Sequence, residues 1–214
     1  MDKLDFKKEY RDLYLPKSRP VLIEVPPMPF LMVDGEGAPE SESYQSAIGL
    51  LYTLSFTVKM SKFGPHQPQG YVDYVLPPLE GLWDSPAGGL GERDRWSWTA
   101  MIRLPDYVTD EVFAWALAEA HGKKPGLDYA RVRREVYREG LCVQMLHIGP
   151  YAAEPESLRL MQEYLAQHGL RDDVGAGRRH HEIYLSDPRR VAPEKLRTVL
   201  RHPVRASGAE DGRE

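Results

Sequence analysis

The amino-acid sequence predicts an α+β fold: tandem strand-helix-strand-strand repeats with antiparallel sheets and a central ligand cleft. Two observations carry this expectation. Apolar residues recur at helical spacing in three stretches, and short apolar runs bounded by glycine and proline, the pattern of strands, lie around them. The two halves of the chain also echo each other. "VDGEGAPESESYQSAI" matches "HIGPYAAEPESLRLM", setting Gly35 against Gly149, Glu42 against Glu156 and Ser43 against Ser157. "PLEGLWDSP" matches "HHEIYLSDP", with Glu80 against Glu182, and "MIRLP" matches "VLRHP", with Pro105 against Pro203. Three matches in the same order point to a duplicated unit.

Each element follows from local signals. Residues 1–20 are polar and mixed in charge and read as an arm or short helix. In "RPVLIEVPPMPFLMVDGEG" the apolar stretches break at Pro26 and Pro27, giving two strands. In "PESESYQSAIGLLYTLSFTVKMSK", Tyr44, Ala47, Ile48, Leu51, Leu54 and Val58 share a helical face, and Ser41 or Ser43 can cap the start, which predicts a helix over 42–59. "YVDYVLPPLEGLWDS" and "RWSWTAMIRLP" follow as strands, separated by the turn-forming run "PAGGLGERD". Residues 109–121 form the second helix, capped by Thr109 and stopped at Gly122. "ARVRREVYREGLCVQMLHIGPY" reads as a hairpin turning at Glu139 and Gly140, and "EPESLRLMQEYLAQHGL" as a third helix ending at Gly169. The chain closes with the strand "HHEIYLS", the turn-plus-helix "DPRRVAPEKL" and the strand "RTVLRHPV". The predicted domain is 21–205, with repeats near 28–105 and 131–204, and residues 206–214 have the composition of a disordered tail.

Composition narrows the function classes. With 214 residues, 42% hydrophobic and 28% charged, the chain can bury a substantial core and has an ordinary soluble composition. A net charge of −4 argues against a nucleic-acid binder, which needs a basic excess to neutralise phosphates. The single cysteine, Cys142, excludes a disulfide framework or a Cys-rich zinc site and reads as a small buried hydrophobe. The opening "MDKLDFKKEYRDLYLP" lacks the apolar core of a signal peptide, and no run approaches the roughly 20 residues that span a bilayer. A cytoplasmic chain without a membrane partner is expected. Phosphate-loop, dinucleotide and nucleophile-elbow motifs are missing, so no cofactor and no covalent acyl chemistry are expected.

Several stretches carry a family resemblance. "EGLCVQMLHIGPYAAEPESL", "HHEIYLSDPRR" and "PEKLRTVLRHPV", with "PLEGLWDS" and "WSWTAMIRLPD" in the first half, resemble the stand-alone branch of the GyrI-like small-molecule-binding proteins. The resemblance covers roughly residues 20–205. It implies duplicated strand-helix-strand-strand units with a ligand cleft between the repeats. In that superfamily the domain often follows a DNA-binding helix-turn-helix module; only about 20 residues precede it here, so DNA binding is not expected. Some stand-alone members hydrolyse cyclopropane-containing genotoxic natural products with a carboxylate and aromatic residues in the cleft.

The candidate site centres on Glu182, in "GRRHHEIYLSDPRR". Period-two alternation puts His180, Glu182 and Tyr184 on one strand face and His181, Ile183 and Leu185 on the other. Ile183 and Leu185 are expected to face the helices and the polar three the groove, where a carboxylate walled by aromatics should have a raised pKa suited to base work. The alternative is a solvated acid on an open sheet face, or one paired with Arg178 or Arg189. Trp83 and Trp98 are candidate cleft walls for a planar ligand, with ordinary core packing as the alternative, whereas Trp115 reads as core. Tyr44 and Tyr184 are candidate hydrogen-bond donors, beside Tyr71, Tyr137 and Tyr151. His147 is a candidate cleft residue or a structural hydrogen-bonder, and Glu80 a candidate through its match to Glu182. No metal site is expected, because His147 has no second ligand at a recognisable spacing. Two functions remain open: a cofactor-free hydrolase that opens strained cyclopropanes, with Glu182 as base, and a non-catalytic module that sequesters planar or amphipathic small molecules.

Overall fold

The computed structural model describes residues 3–84, 95–175 and 177–207; the turn expected at "PAGGLGERD" and the tail from 208 lie outside them. The chain opens with two single-turn helices, α1 (Phe6–Glu9) and α2 (Arg11–Tyr14), and the strand β1 (Val21–Val25). Then come β2 (Met28–Glu36), α3 (Glu42–Met60), β3 (Leu79–Asp84), β4 (Ser97–Arg103), α4 (Asp110–Lys123) and β5 (Val132–Tyr137). The remaining elements are β6 (Gly140–Ile148), α5 (Glu154–Gln167), β7 (Leu170–Asp172), β8 (His180–Tyr184) and β9 (Arg197–Ala206). Ser41 and Thr109 cap α3 and α4 by accepting from the backbone N–H groups of Tyr44 and Val112. No helix among the described residues is long and apolar enough to cross a membrane.

The elements divide into two compact units, Met1–Tyr10 with Pro27–Tyr137, and Arg11–Pro26 with Arg138–Glu214. In the first, antiparallel strands run in the order β3-β4-β2-β5. In the second the order is β8-β9-β6-β1, with β7 pairing the C-terminal end of β9. These are one strand-helix-strand-strand pattern twice, and the registers agree. Setting Gly35 on Gly149 and Pro105 on Pro203 carries the pair Met32↔Met101 onto Leu146↔Val199. The outer strands are exchanged along the chain: β1 leads into β2 but pairs with β6, and β5 leads into β6 but pairs with β2.

The third echo slips by one residue. Glu80 pairs with Met101, whose counterpart Val199 pairs with Ile183, so Glu80 corresponds to Ile183 and Glu182 to Leu79. A one-residue slip moves a side chain to the other face of a sheet. Glu80 therefore lies on the opposite face of β3 from Trp83, whereas Glu182 takes the helix-facing position in its own unit.

In the first unit Leu31, Val33, Trp83, Trp98, Ala100 and Ile102 pack against α3 and α4. Gly35 is required by this packing, since a Cβ there would stand 2.3 Å from the Trp98 indole. The far face of each sheet takes cover from residues 1–20, expected as an arm. In the first unit the buried Arg103 guanidinium lies 4.7 Å from the ring of Phe6 and 4.0 Å from that of Tyr10. Its counterpart Arg201 donates to the Leu13 carbonyl at 2.7 Å, to Gln144 at 2.9 Å and to Glu139 at 3.2 Å. Glu139 also bonds His181 at 3.0 Å. Burial pushes the Glu139 carboxyl up, but the charges and hydrogen bonds of His181 and Arg201 outweigh it and hold the group at about 2, below its ordinary 4.5.

Two predictions follow from this packing. Gly35→Ala forces the Trp98 indole out of place and should lower stability by about 1–3 kcal/mol, read by thermal denaturation with tryptophan fluorescence. Because its folded pKa is depressed, Glu139 contributes stability that is present above pH 4.5 and lost as pH falls towards about 2. Glu139→Gln should flatten that acid limb and cost about 3–5 kcal/mol near neutral pH, because Arg201 stays buried without its counter-charge. Denaturant titrations at several pH values read both effects.

Candidate functional site

β8 brings the site together. Glu182 pairs with Leu200, and Leu200 belongs to the apolar cluster under Met161 and Leu165 of α5. His180, Glu182 and Tyr184 thus lie on the α5 face, while His181 and Ile183 lie on the Arg201 face. This reverses the expectation that Ile183 would face the helices. Both faces of β8 are covered, so alternation identifies which residues share a face without identifying the layer above it.

After Gly149 a 3-10 turn, Tyr151–Ala153, delivers the chain to the start of α5. Its approach is fixed by His147, which bonds Ser157 through Nδ1 at 2.9 Å and the Pro150 carbonyl through Nε2 at 3.2 Å. Nε2 must donate to that carbonyl, so Nδ1 accepts from the serine hydroxyl. Both ring nitrogens are occupied, and His147 acts as a latch between β6 and α5.

Glu154, the first residue of α5, is only 9% exposed, and its Oε1 atom has no hydrogen-bond partner among the described residues. Glu154, His180 and Glu182 bring ligand-type atoms within 4.8 Å of one another. Burial, and next the charge of Glu182, push the Glu154 carboxyl up to about 9, despite its place at a helix N-terminus. Burial acts on Glu182 in the same direction, but there the hydrogen bond and charge of His180 and the hydrogen bond of Tyr184 prevail and lower its pKa. The raised pKa expected at Glu182 belongs to Glu154. At neutral pH the pair is a neutral acid beside a carboxylate. Tyr151 stands with its ring 6.3 Å from that of Tyr184, and burial and the charge of Glu182 push its phenol up to about 12.

A chain of hydrogen bonds runs from this pair along the sheet. His180 bonds Glu182 through Nε2 at 2.9 Å and His202 Nε2 through Nδ1 at 2.6 Å. His202 Nδ1 in turn bonds Asp172 on β7, whose other oxygen accepts from the Val174 N–H at 2.9 Å. Both nitrogens of His180 are hydrogen-bonded, and Glu154, His180 and Glu182 are also close enough together to hold a metal ion.

The other predicted residues lie in the first unit. Tyr44 stands 5.1 Å from Trp83 and 4.9 Å from Trp98, ring centre to ring centre, and Trp96 lies 5.9 Å from Trp83. Trp83 and Trp98 are 5% and 1% exposed, packed among themselves, and the Trp98 indole N–H has no partner among the described residues. Glu80 is fully buried on the opposite face. Sequence reasoning missed Glu154, His202 and Asp172. The "EPES" motif placed Glu154 at a helix start, where an acid is ordinary, and the partners of His180 lie far from it in sequence.

The chain can be set beside known proteins. A hydrolase from Listeria innocua is 49% identical, covering 95% of this chain and 100% of its own, with a TM-score of 0.89. An uncharacterized conserved protein from Listeria innocua is 50% identical over the same shares, with a TM-score of 0.92. The C-terminal domain of EcmrR shares the fold at 14% identity, covering 88% of this chain and 98% of its own, with a TM-score of 0.52. No curated protein matches. The GyrI-like small molecule binding domain matches residues 19–205, nearly the whole chain, and the protein belongs to that family.

Proposed function

We propose that this protein is a cofactor-free hydrolase of small molecules that adds water across a strained cyclopropane conjugated to a dienone. The observation that carries the reading is the carboxyl pair, Glu154 neutral and Glu182 ionised within 4.8 Å. Glu182 takes a proton from water as the water oxygen bonds to a ring carbon. The cyclopropane C–C bond breaks, and its electron pair passes through the dienone to the carbonyl oxygen, which becomes a phenol with the proton of Glu154. The product is the substrate plus one water. Ring strain and aromatisation drive the reaction, so the protein contributes position and proton transfer. The hydrolase from Listeria innocua at 49% identity supports turnover. The net charge of −4 favours a small molecule over nucleic acid as partner.

A second reading is sequestration of a small molecule without turnover, which membership of a small-molecule-binding family supports equally.

The test is incubation of the pure protein with a spirocyclopropyl cyclohexadienone, followed by mass spectrometry for a gain of one water. Glu182→Gln should slow the reaction by roughly 10²-fold or more, the usual worth of a positioned base, with little change in ligand affinity. The rate should rise as Glu182 ionises below pH 4.5, its ordinary value, and fall as Glu154 loses its proton near pH 9. Ligand binding by wild type without any gain of water would leave the sequestering reading.

A further inference from the structure

The hydrogen-bond chain Asp172–His202–His180–Glu182 has three junctions, each between two atoms that accept when bare. Each junction needs one proton. Two neutral imidazoles carry one proton apiece, so the chain is bonded throughout only if it holds a third. Two carboxylates, two histidines and three protons sum to a net charge of −1. The third proton can rest on either carboxylate end or make one imidazole doubly protonated, and a concerted shift across the junctions moves it from one end to the other. His202 disfavours the charge, because burial lowers its pKa despite the Asp172 bond.

The ends of the chain differ in the way a conduit requires. Glu182 lies on the α5 face with a side chain 15% exposed, while Asp172, on the short strand β7, is 26% exposed and reaches solvent. Glu154 and Tyr151 face the inner end, with Tyr184 beside it on β8. Glu139 and His181 act on it from the other face of the sheet. None of them interrupts the three junctions.

We propose that Asp172, His202 and His180 are a proton relay serving Glu182. It holds three protons over four groups and carries outward, to Asp172 and solvent, the proton that Glu182 takes from water, while Glu154 regains from solvent the proton it gave to the phenol, which closes the cycle. Its place in turnover rests on the hydrolase reading above; the sharing of three protons does not. His202 and Asp172 are positioning residues, since they act on the reacting atoms only through His180.

The closing experiment has two arms. The first is nitrogen NMR of the full chain with ring-labelled histidine at neutral pH, which needs no substrate. Three protons over the four groups, counted as ring N–H together with any carboxyl proton on Asp172 or Glu182 read by carbon NMR, and altered by Asp172→Asn, is the expected result. Two singly protonated rings between two ionised carboxylates, or spectra indifferent to Asp172→Asn, would overturn the relay whether or not the protein hydrolyses anything. The second arm follows water addition to the spirocyclopropyl cyclohexadienone. His202→Phe cuts the relay, and Asp172→Asn, on a partly exposed strand, cuts its outer end while keeping the shape of the bond. Each should lower turnover by less than the roughly 10²-fold expected for Glu182→Gln, and added imidazole buffer should restore the rate in these two variants only. Full turnover in both variants, or loss without rescue, counts against proton transport. A three-proton spectrum in a protein that adds no water would leave the shared protons standing and remove the hydrolase reading.

Discussion

Two carboxyl groups held within 4.8 Å of each other and away from water cannot both be charged, and much of the second unit is arranged around that constraint. The repulsion is settled by unequal support. Glu182 receives hydrogen bonds from His180 and Tyr184, while Oε1 of Glu154 receives none from the described residues, so the proton resides on Glu154. The arrangement needs α5 to begin at one point above β8, and the His147 latch, bonded to both Ser157 and Pro150, sets that point. It also needs β8 to be in register, since a slip of one residue would exchange Glu182 for Ile183. The acid in the middle of a buried strand is thus answered by a second acid from a helix.

The two far faces show one position solved in two ways. Arg103 and Arg201 correspond by register, and both are almost wholly buried. Arg103 is covered by aromatic rings, which attract a cation without fixing its direction. Arg201 is held by directed bonds to a backbone carbonyl, an amide and a carboxylate. Directed bonds order the groups around them, which is why Glu139, His181 and Gln144 form a network on that side.

What the residues disclose in one dimension is mostly periodicity. The helix expected at 42–59 is α3, Glu42–Met60, and the one expected at 109–121 is α4, Asp110–Lys123, because apolar spacing and capping side chains act locally. The Gly35–Gly149 and Pro105–Pro203 matches agree with the ladder registers, and at Gly35 the Trp98 indole leaves no room for a Cβ. The Glu80–Glu182 match rested on a shared letter in strands whose alignment no turn fixes, and it is one residue out. The site is harder to see because it depends on burial and on distant partners. Glu154 looks like any acid in a first helical turn until the layer above it is known, and His180, His202 and Asp172 come from three strands.

The exchanged outer strands bear on how the chain is made. Val21–Val25 emerges early from the ribosome, yet its ladder partners are Gly140–Gln144, synthesised far later. Until then that edge has nothing to pair with, and contacts of such long sequence separation slow folding and prolong exposure of unpaired backbone. Pro26 and Pro27 directly after the strand, and Glu24 within it, discourage wrong pairing during the wait. Neither unit can be cut out as one continuous fragment without losing a strand. Any truncation or circular permutation has to be planned around three crossing points, Tyr10–Arg11, Val25–Met28 and Tyr137–Gly140.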